Sequence, residues 1–231
     1  MGRQGPARRA YRTDADCNLS SRMDVVSVTP ELTAELVLAA YPRGLFPMAY
    51  LDANVITWHR PRVRAVIPLD AAHVPRRLAR TMASGKYRVT FDTAFRDVMA
   101  GCAAGRPVWI SEDFHRVYGE LHQRGIAHSV EVWSGGELAG GLYGLSLGGA
   151  FFAESKFHRA TDASKVAVVS LVERLRERGF LLLEVQYLTE HLRQFGTIEL
   201  PHRAYMTRLR EALALPVSFG PPAAPPVPAV E

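Results

Sequence analysis

Cysteine is nearly absent. The 231 residues hold two, Cys17 and Cys102, far apart and in no ligand-like spacing. That excludes a disulfide scaffold and points to a reducing compartment. No apolar run approaches the roughly 18–20 residues of a membrane-spanning helix, and the N-terminus lacks the apolar core of a secretory signal. There is no G-x-x-x-x-G-K-[ST] and no G-x-G-x-x-G, which removes those nucleotide cradles. The eight histidines form no H-x-x-x-H pair, so no metal site is expected. Ser155 is not in a G-x-S-x-G elbow, which leaves a hydrolase triad unsupported. The expectation is a cytoplasmic protein without a membrane segment.

What is present is ordinary for a globular protein: 48% hydrophobic and 22% charged residues. The length suits one large domain or two modest ones. The net charge of +5 and pI of about 9.5 hint at a polyanionic partner. Part of the excess lies in the first 22 residues, which hold five Arg against Asp14 and Asp16. This leader has no periodicity and reads as disordered, or as an extension upstream of a start at Met23. The tail from Pro216 is rich in proline and nearly uncharged, and reads as a flexible extension.

Between these ends the period of the hydrophobic pattern changes. The front is helical and irregular. Thr29 followed by Pro30 predicts a helix running to Ala40. Helices are also expected over 70–84, 94–103 and 111–124, and a short strand over 64–67. Then His128–Trp133 alternates as a strand, Gly135-Gly136 turns, Glu137–Leu147 returns, and Ala150–Glu154 is a third strand. A helix over 163–178 closes at Gly179, a strand spans 180–188, and a last helix spans 201–213. The sum is an α+β layout with an antiparallel sheet and one crossover helix.

Four segments could carry chemistry. Glu154 ends an apolar strand, a good place to bind an amine, although on spacing alone a salt bridge is the better account. Glu184 and Gln186, two apart on a strand, are expected to project from one face. A carboxylate beside an amide is costly to bury without a partner; an exposed face is the other reading. The helix from Ala163 carries two apolar stripes, Val166/Val169/Val172 and Val168/Leu171/Leu175. One can face core and the other a pocket, or both can face core. Arg76, Arg77, Arg80, Lys86 and Arg88 suit a phosphate backbone, or a solvated surface.

Taken together the segments resemble the leucyl/phenylalanyl-tRNA–protein transferase family. The resemblance rests on Ala40-Tyr41-Pro42-Arg43-Gly44-Leu45-Phe46-Pro47, Trp109-Ile110, Ala127 to Trp133, Glu137 to Gly144, Phe151-Phe152-Ala153-Glu154-Ser155, Ala163-Ser164-Lys165 and Val185-Gln186-Tyr187-Leu188, in order from about Leu38 to Leu213. It implies an acetyltransferase-like (GNAT-like) domain over 65–215 behind a small N-terminal domain over 24–64, between the leader at 1–23 and the tail at 216–231. It implies a monomer that takes Leu, Phe or Met from charged tRNA and attaches it to proteins beginning with Arg or Lys, in N-end rule degradation, with no metal and no coenzyme. Carried over by position, Glu154, Glu184 and Gln186 form the reaction centre. Leu142, Phe151, Val168, Leu171 and Leu175 line the side-chain pocket. Met48 and Trp109 flank the tRNA 3′ adenosine, and Arg76 and Arg80 meet the acceptor stem.

This chain departs from the family's usual pattern. Glu184 stands where Asp is usual, which displaces the carboxylate by roughly 1.5 Å where catalytic geometry tolerates about 0.5 Å. Lys156 replaces a usual Met, His158 a usual Ser and Met48 a frequent Trp. His59-Arg60 interrupts a usual Trp-Ser-Pro-Asp stretch, and a Gly-Gly pair before the first helix is missing. Two alternatives follow: a paralogue that aminoacylates a small-molecule amine from charged tRNA, or an inactive relative that only binds tRNA.

Overall fold

Residues 23–50, 53–104 and 110–220 are described by the computed structural model. The expected leader over 1–22, Trp109 and residues 221–231 of the expected tail lie outside the described residues.

The N-terminal segment forms a three-stranded antiparallel sheet from β1 (Met23–Thr29), β2 (Phe46–Tyr50) and β3 (Val55–Pro61), in the order β1-β3-β2. Helix α1 (Ala34–Ala40) and a 3-10 turn (Tyr41–Arg43) lie between β1 and β2. The helix starts at Thr33, not at Thr29. The Thr33 hydroxyl accepts the Leu36 N–H at 3.2 Å, which is the bond an N-cap supplies. Thr29 instead ends β1, where its hydroxyl accepts the Trp58 indole N–H at 3.0 Å. The Tyr41–Arg43 turn stops at Gly44, whose φ of 71° is left-handed.

A seven-stranded sheet follows, in the order β10-β4-β9-β8-β7-β6-β5. Its strands are β4 (Val63–Ile67), β5 (Arg88–Phe91), β6 (Ala127–Ser134), β7 (Glu137–Leu147), β8 (Ala150–His158), β9 (Leu182–Glu184) and β10 (Ile198–Pro201). Every pairing is antiparallel except β8 with β9. A parallel pair needs a crossover, and α5 (Ala163–Glu177) supplies it. The fold is therefore the α+β arrangement expected. On one face α3 (Phe95–Ala103), α4 (Glu112–Gln123) and the final helix α7 (His202–Leu213) bury Phe95, Phe114, Tyr118, Tyr205 and Leu209 against the sheet. On the other, α5 buries both of its stripes with Leu78 from α2 (Arg76–Ala83). A short helix, α6 (Glu190–Arg193), follows β9.

Several boundaries differ from expectation. Helix α2 begins at Arg76, because Pro75 precedes it and the chain before it is spent on other contacts: the His73 N–H donates to the Phe195 carbonyl at 3.0 Å. Strand β8 continues to His158. Strand β9 stops at Glu184, because Gln186 adopts a left-handed φ of 57°. Strands β1, β2, β3 and β10 carry no strict alternation and were not expected. Residues 216–220 do not behave as a free tail. Phe219 is 1% exposed and stacks on His128 at 4.4 Å, and Arg174 Nε donates to its carbonyl at 3.1 Å.

Candidate active site

The site arises where two parallel strands part. Strands β8 and β9 pair only over Ala150–Phe152 and Leu182–Glu184. Beyond that β9 ends while β8 runs on. The fork leaves a small cavity, partly open to solvent. Its walls are aliphatic: Ile67 from β4, Leu142 from β7, Val168 and Leu171 from α5, and Leu183, Val185 and Leu192. Ala153, Glu154, Ser155, Lys156 and Gln186 complete it.

Glu154 reaches the cavity because of a bulge. Gly144 pairs with Ala153 and Tyr143 with Ser155, so Glu154 is the extra residue on β8. A bulge re-aims a side chain, and this one turns a carboxyl into a buried setting, 6% exposed. Glu154 Oε1 accepts the Tyr41 hydroxyl proton at 2.6 Å, and Tyr41 and Tyr118 hydroxyls lie 2.9 Å apart. Burial pushes the Glu154 pKa up to about 8. The Tyr41 hydrogen bond and Arg64 pull it down, and Glu184 pushes it up.

Gln186 borders the same cavity, held by its backbone. Its carbonyl accepts the Ala65 N–H at 3.1 Å, and its own N–H donates to Glu184 Oε1 at 2.6 Å. Glu184 itself does not share this face. It is fully buried behind the cavity wall, and the same Oε1 accepts Arg64 Nη1 at 2.8 Å. Arg64 also donates to the Gly44 carbonyl and lies between the rings of Phe46 and Tyr205, at 5.1 and 4.9 Å. Burial pulls the Arg64 pKa down, and Glu184 with Tyr205 and Tyr187 more than restores it. The expectation of two acids and an amide gathered at one mouth is thus corrected: Glu154 and Gln186 border the cavity, and Glu184 lies behind it. The period-two argument fails because the strand ends at Glu184 and the left-handed Gln186 breaks the alternation.

Among the expected pocket residues, Leu142, Val168 and Leu171 border the cavity. Phe151 and Leu175 are fully buried but do not. Phe151 lies within the paired part of β8, against Phe219 at 5.4 Å. Leu175 is one turn farther along α5. Ile67, Leu183, Val185 and Leu192 were missed. Leu183 and Val185 carried a signal, since they alternate with Glu184. Arg76 and Arg80 are exposed on α2, opposite Leu78. Met48 is half-buried in β2, its carbonyl accepting the Thr57 hydroxyl at 3.1 Å. Lys156 places a cationic side chain at the cavity. Burial, with the charges of Lys156, Lys165 and His158, pulls the His191 pKa down to about 4. No group of ligand-forming side chains suited to a metal occurs among the described residues, and no described helix is long and apolar enough to cross a membrane.

A family model described as leucyl/phenylalanyl-tRNA protein transferase matches residues 66–210, and one described as that family's N-terminal domain matches 30–62. A leucyl/phenylalanyl-tRNA–protein transferase of Paramagnetospirillum magneticum is 54% identical over 79% of this chain and 90% of its own. Proteins of the same name from Caulobacter vibrioides and Gloeobacter violaceus are 52% and 51% identical, each over 81% of this chain and over 88% and 97% of their own. Among solved structures, a ribosomal-protein-alanine N-acetyltransferase from Brucella melitensis biovar Abortus 2308 is 17% identical at a TM-score of 0.35, over 47% of this chain and 86% of its own. The C-terminal domain of a putative lysylphosphatidylglycerol synthetase from Agrobacterium fabrum is 13% identical at 0.39, over 85% and 67%.

Proposed function

The chain belongs to the leucyl/phenylalanyl-tRNA–protein transferase family, and from that membership and the cavity's chemistry we propose that it moves Leu, Phe or Met from charged tRNA onto the N-terminal amine of proteins beginning with Arg or Lys. The observation that carries this reading is that Glu154 and Gln186 border one cavity whose other walls are aliphatic. The apolar side chain of the aminoacyl ester enters the cavity, and the polar pair meets the acceptor amine at its mouth.

The reaction is aminolysis of an activated ester. The amine nitrogen bonds to the ester carbon, the bond from that carbon to the tRNA ribose oxygen breaks, and the amine proton passes in net to the released hydroxyl. A protein α-amine has a pKa of about 7.7–8.0, close to the value of about 8 that burial gives Glu154. Proton transfer between the two is therefore nearly balanced, the condition that favours general base catalysis. Holding ester and amine together supplies roughly 7–11 kcal/mol of the barrier. Acceptors starting with Arg or Lys bring a second cation, which favours the Glu154 carboxylate. Arg76 and Arg80 are assigned to the acceptor stem, and Met48 and Trp109 to the 3′ adenosine. We place the boundary of the N-terminal domain near Arg62, where β3 leaves one sheet and β4 enters the other. A cytoplasmic monomer fits this work. The names of the relatives favour a protein acceptor over a small-molecule amine.

Leucyl-tRNA offered with a peptide beginning with Arg should give Leu-Arg-peptide. Glu154→Gln and Gln186→Ala should each lower kcat/KM at least about tenfold, as loss of a positioned acid–base or hydrogen-bonding group does. Folded wild-type protein that transfers nothing from intact charged tRNA would overturn the reading.

A further inference from the structure

Behind Glu154 lie hydroxyls that packing does not require. Tyr41, at the start of the turn between α1 and β2, is 1% exposed with its ring edge-on to Phe152 at 4.9 Å. Tyr118, on α4, is fully buried, stacked on Phe114 at 5.7 Å and edge-on to Tyr143 at 5.6 Å. Phenylalanine would satisfy each of these ring contacts. A buried hydroxyl costs free energy unless it is bonded, so the bonds these two make identify their use.

With Glu154 ionised, those bonds run one way. Each hydroxyl has one proton. Tyr41 gives its proton to Glu154 Oε1 at 2.6 Å, so the 2.9 Å contact between the tyrosines is filled by the proton of Tyr118. The chain therefore runs Tyr118 to Tyr41 to Glu154, with every donor spent toward the carboxylate. It joins a residue of the N-terminal segment, a helix of the larger domain and the bulged residue of β8.

We propose that Tyr41 and Tyr118 are positioning residues that act through Glu154, fixing its carboxyl at the cavity and stabilising its carboxylate form for the transfer reaction. The proposal rests on the reading that puts Glu154 at the reaction centre. The other ionisable groups around Glu154 leave this role open. Glu184 and Arg64 oppose one another as a bonded pair, while Tyr143 and Tyr205 stay neutral, held there by burial. Hydrogen bonding from Tyr41, backed by Tyr118, is what opposes the effect of burial on Glu154 besides Arg64.

The test measures kcat/KM against pH, from about 6 to 9.5, for leucyl-tRNA and an Arg-initiated peptide. The proteins are wild type, Tyr41→Phe, Tyr118→Phe, Glu154→Gln and the double variant Tyr41→Phe/Glu154→Gln. Loss of the Tyr41 hydroxyl should move the rising limb up by about one pH unit, a roughly tenfold loss near pH 7 that is recovered at high pH. Tyr118→Phe should move it the same way by less. The displacement should vanish when Glu154 is already Gln. A uniform loss at all pH values, an unmoved profile, or a displacement that persists in the double variant would overturn the proposal. If Glu154→Gln itself transfers like wild type, the assignment of Glu154 to the reaction centre fails, and this proposal with it. If Glu154→Gln is impaired but Tyr41→Phe titrates as wild type, only the role of the tyrosines fails. Should Tyr41→Phe not fold, the protonated-carboxyl band of Glu154, followed by isotope-edited infrared titration in Tyr118→Phe, decides the same point. An upward displacement supports the chain and none refutes it.

Discussion

Two buried acids at neighbouring positions in space have opposite fates because their partners differ. Glu184 meets Arg64 and a backbone N–H; Glu154 meets only hydroxyls. Removing one member of a buried ion pair strands the other, at about 3–5 kcal/mol. Glu184→Gln should therefore lower the melting temperature by roughly 2–4 °C per kcal/mol for a chain of this size, as a thermal melt would register. Glu154 gives the opposite sign. Its pKa rises from 4.5 to about 8 on folding, so the neutral form suits the fold. Its stabilisation is full below about pH 4.5 and is lost as pH rises through about 8. Glu154→Gln should thus gain stability over wild type near pH 9 and little near pH 5, by at least about 2–4 °C, read from melts at the two pH values. Neither partner set could be read from spacing: Arg64 lies 120 residues before Glu184, and Tyr41 lies 113 before Glu154. The acids themselves stood out in the sequence because apolar strands seldom carry them.

At the scale of elements, the decisive one is α5. Its two stripes left open whether one faced a pocket. Val168 and Leu171 border the cavity while Val166, Val169 and Val172 are core. Val168 and Leu171 also pack in that core, so one helix face serves both the core and the proposed side-chain pocket. Leu171→Ala should enlarge the cavity and raise the ratio of Phe to Leu transfer about tenfold, within the range of shape discrimination by apolar pockets. It should also cost about 2–5 kcal/mol of stability. Competition between leucyl- and phenylalanyl-tRNA measures the first, and denaturant titration the second. The long, periodic elements β6, β7 and α5 were legible, because one face of each is continuously buried. Strands β1, β2, β3 and β10 were not, because their exposed residues include Val25, Val26, Val28 and Ile198, which blurs the alternation that marks a half-buried strand. Gly144 shows the same limit. An added Cβ there would lie 2.6 Å from the Phe151 ring, but the bulge that sets Glu154 apart belongs to the pairing of two strands.

At the scale of the molecule, distant parts of the chain complete one site. The N-terminal segment contributes Tyr41 to Glu154 and the Gly44 carbonyl to Arg64. The C-terminal residues pack apart from that site: Phe219 fills a slot among Phe91, His128 and Phe151, and it lies beyond the residues matched to the family. Phe219→Ala should cost about 3–5 kcal/mol, seen as a lower denaturation midpoint with an unchanged slope. The proline-rich composition there suggested a free tail, and a single aromatic residue outweighed it by burying its whole ring.

The sequence by itself determined the α+β class, the order of the main elements, the family and the identity of Glu154 and Gln186 as residues to watch. Each of these rests on local periodicity or on motif order, which the chain carries in one dimension. Only the tertiary structure decided that Glu154 and Gln186 share a cavity while Glu184 is turned away. That choice depends on a strand ending two residues before a left-handed backbone and on a bulge opposite a glycine. It also depends on partners more than a hundred residues distant, and no spacing rule encodes any of these.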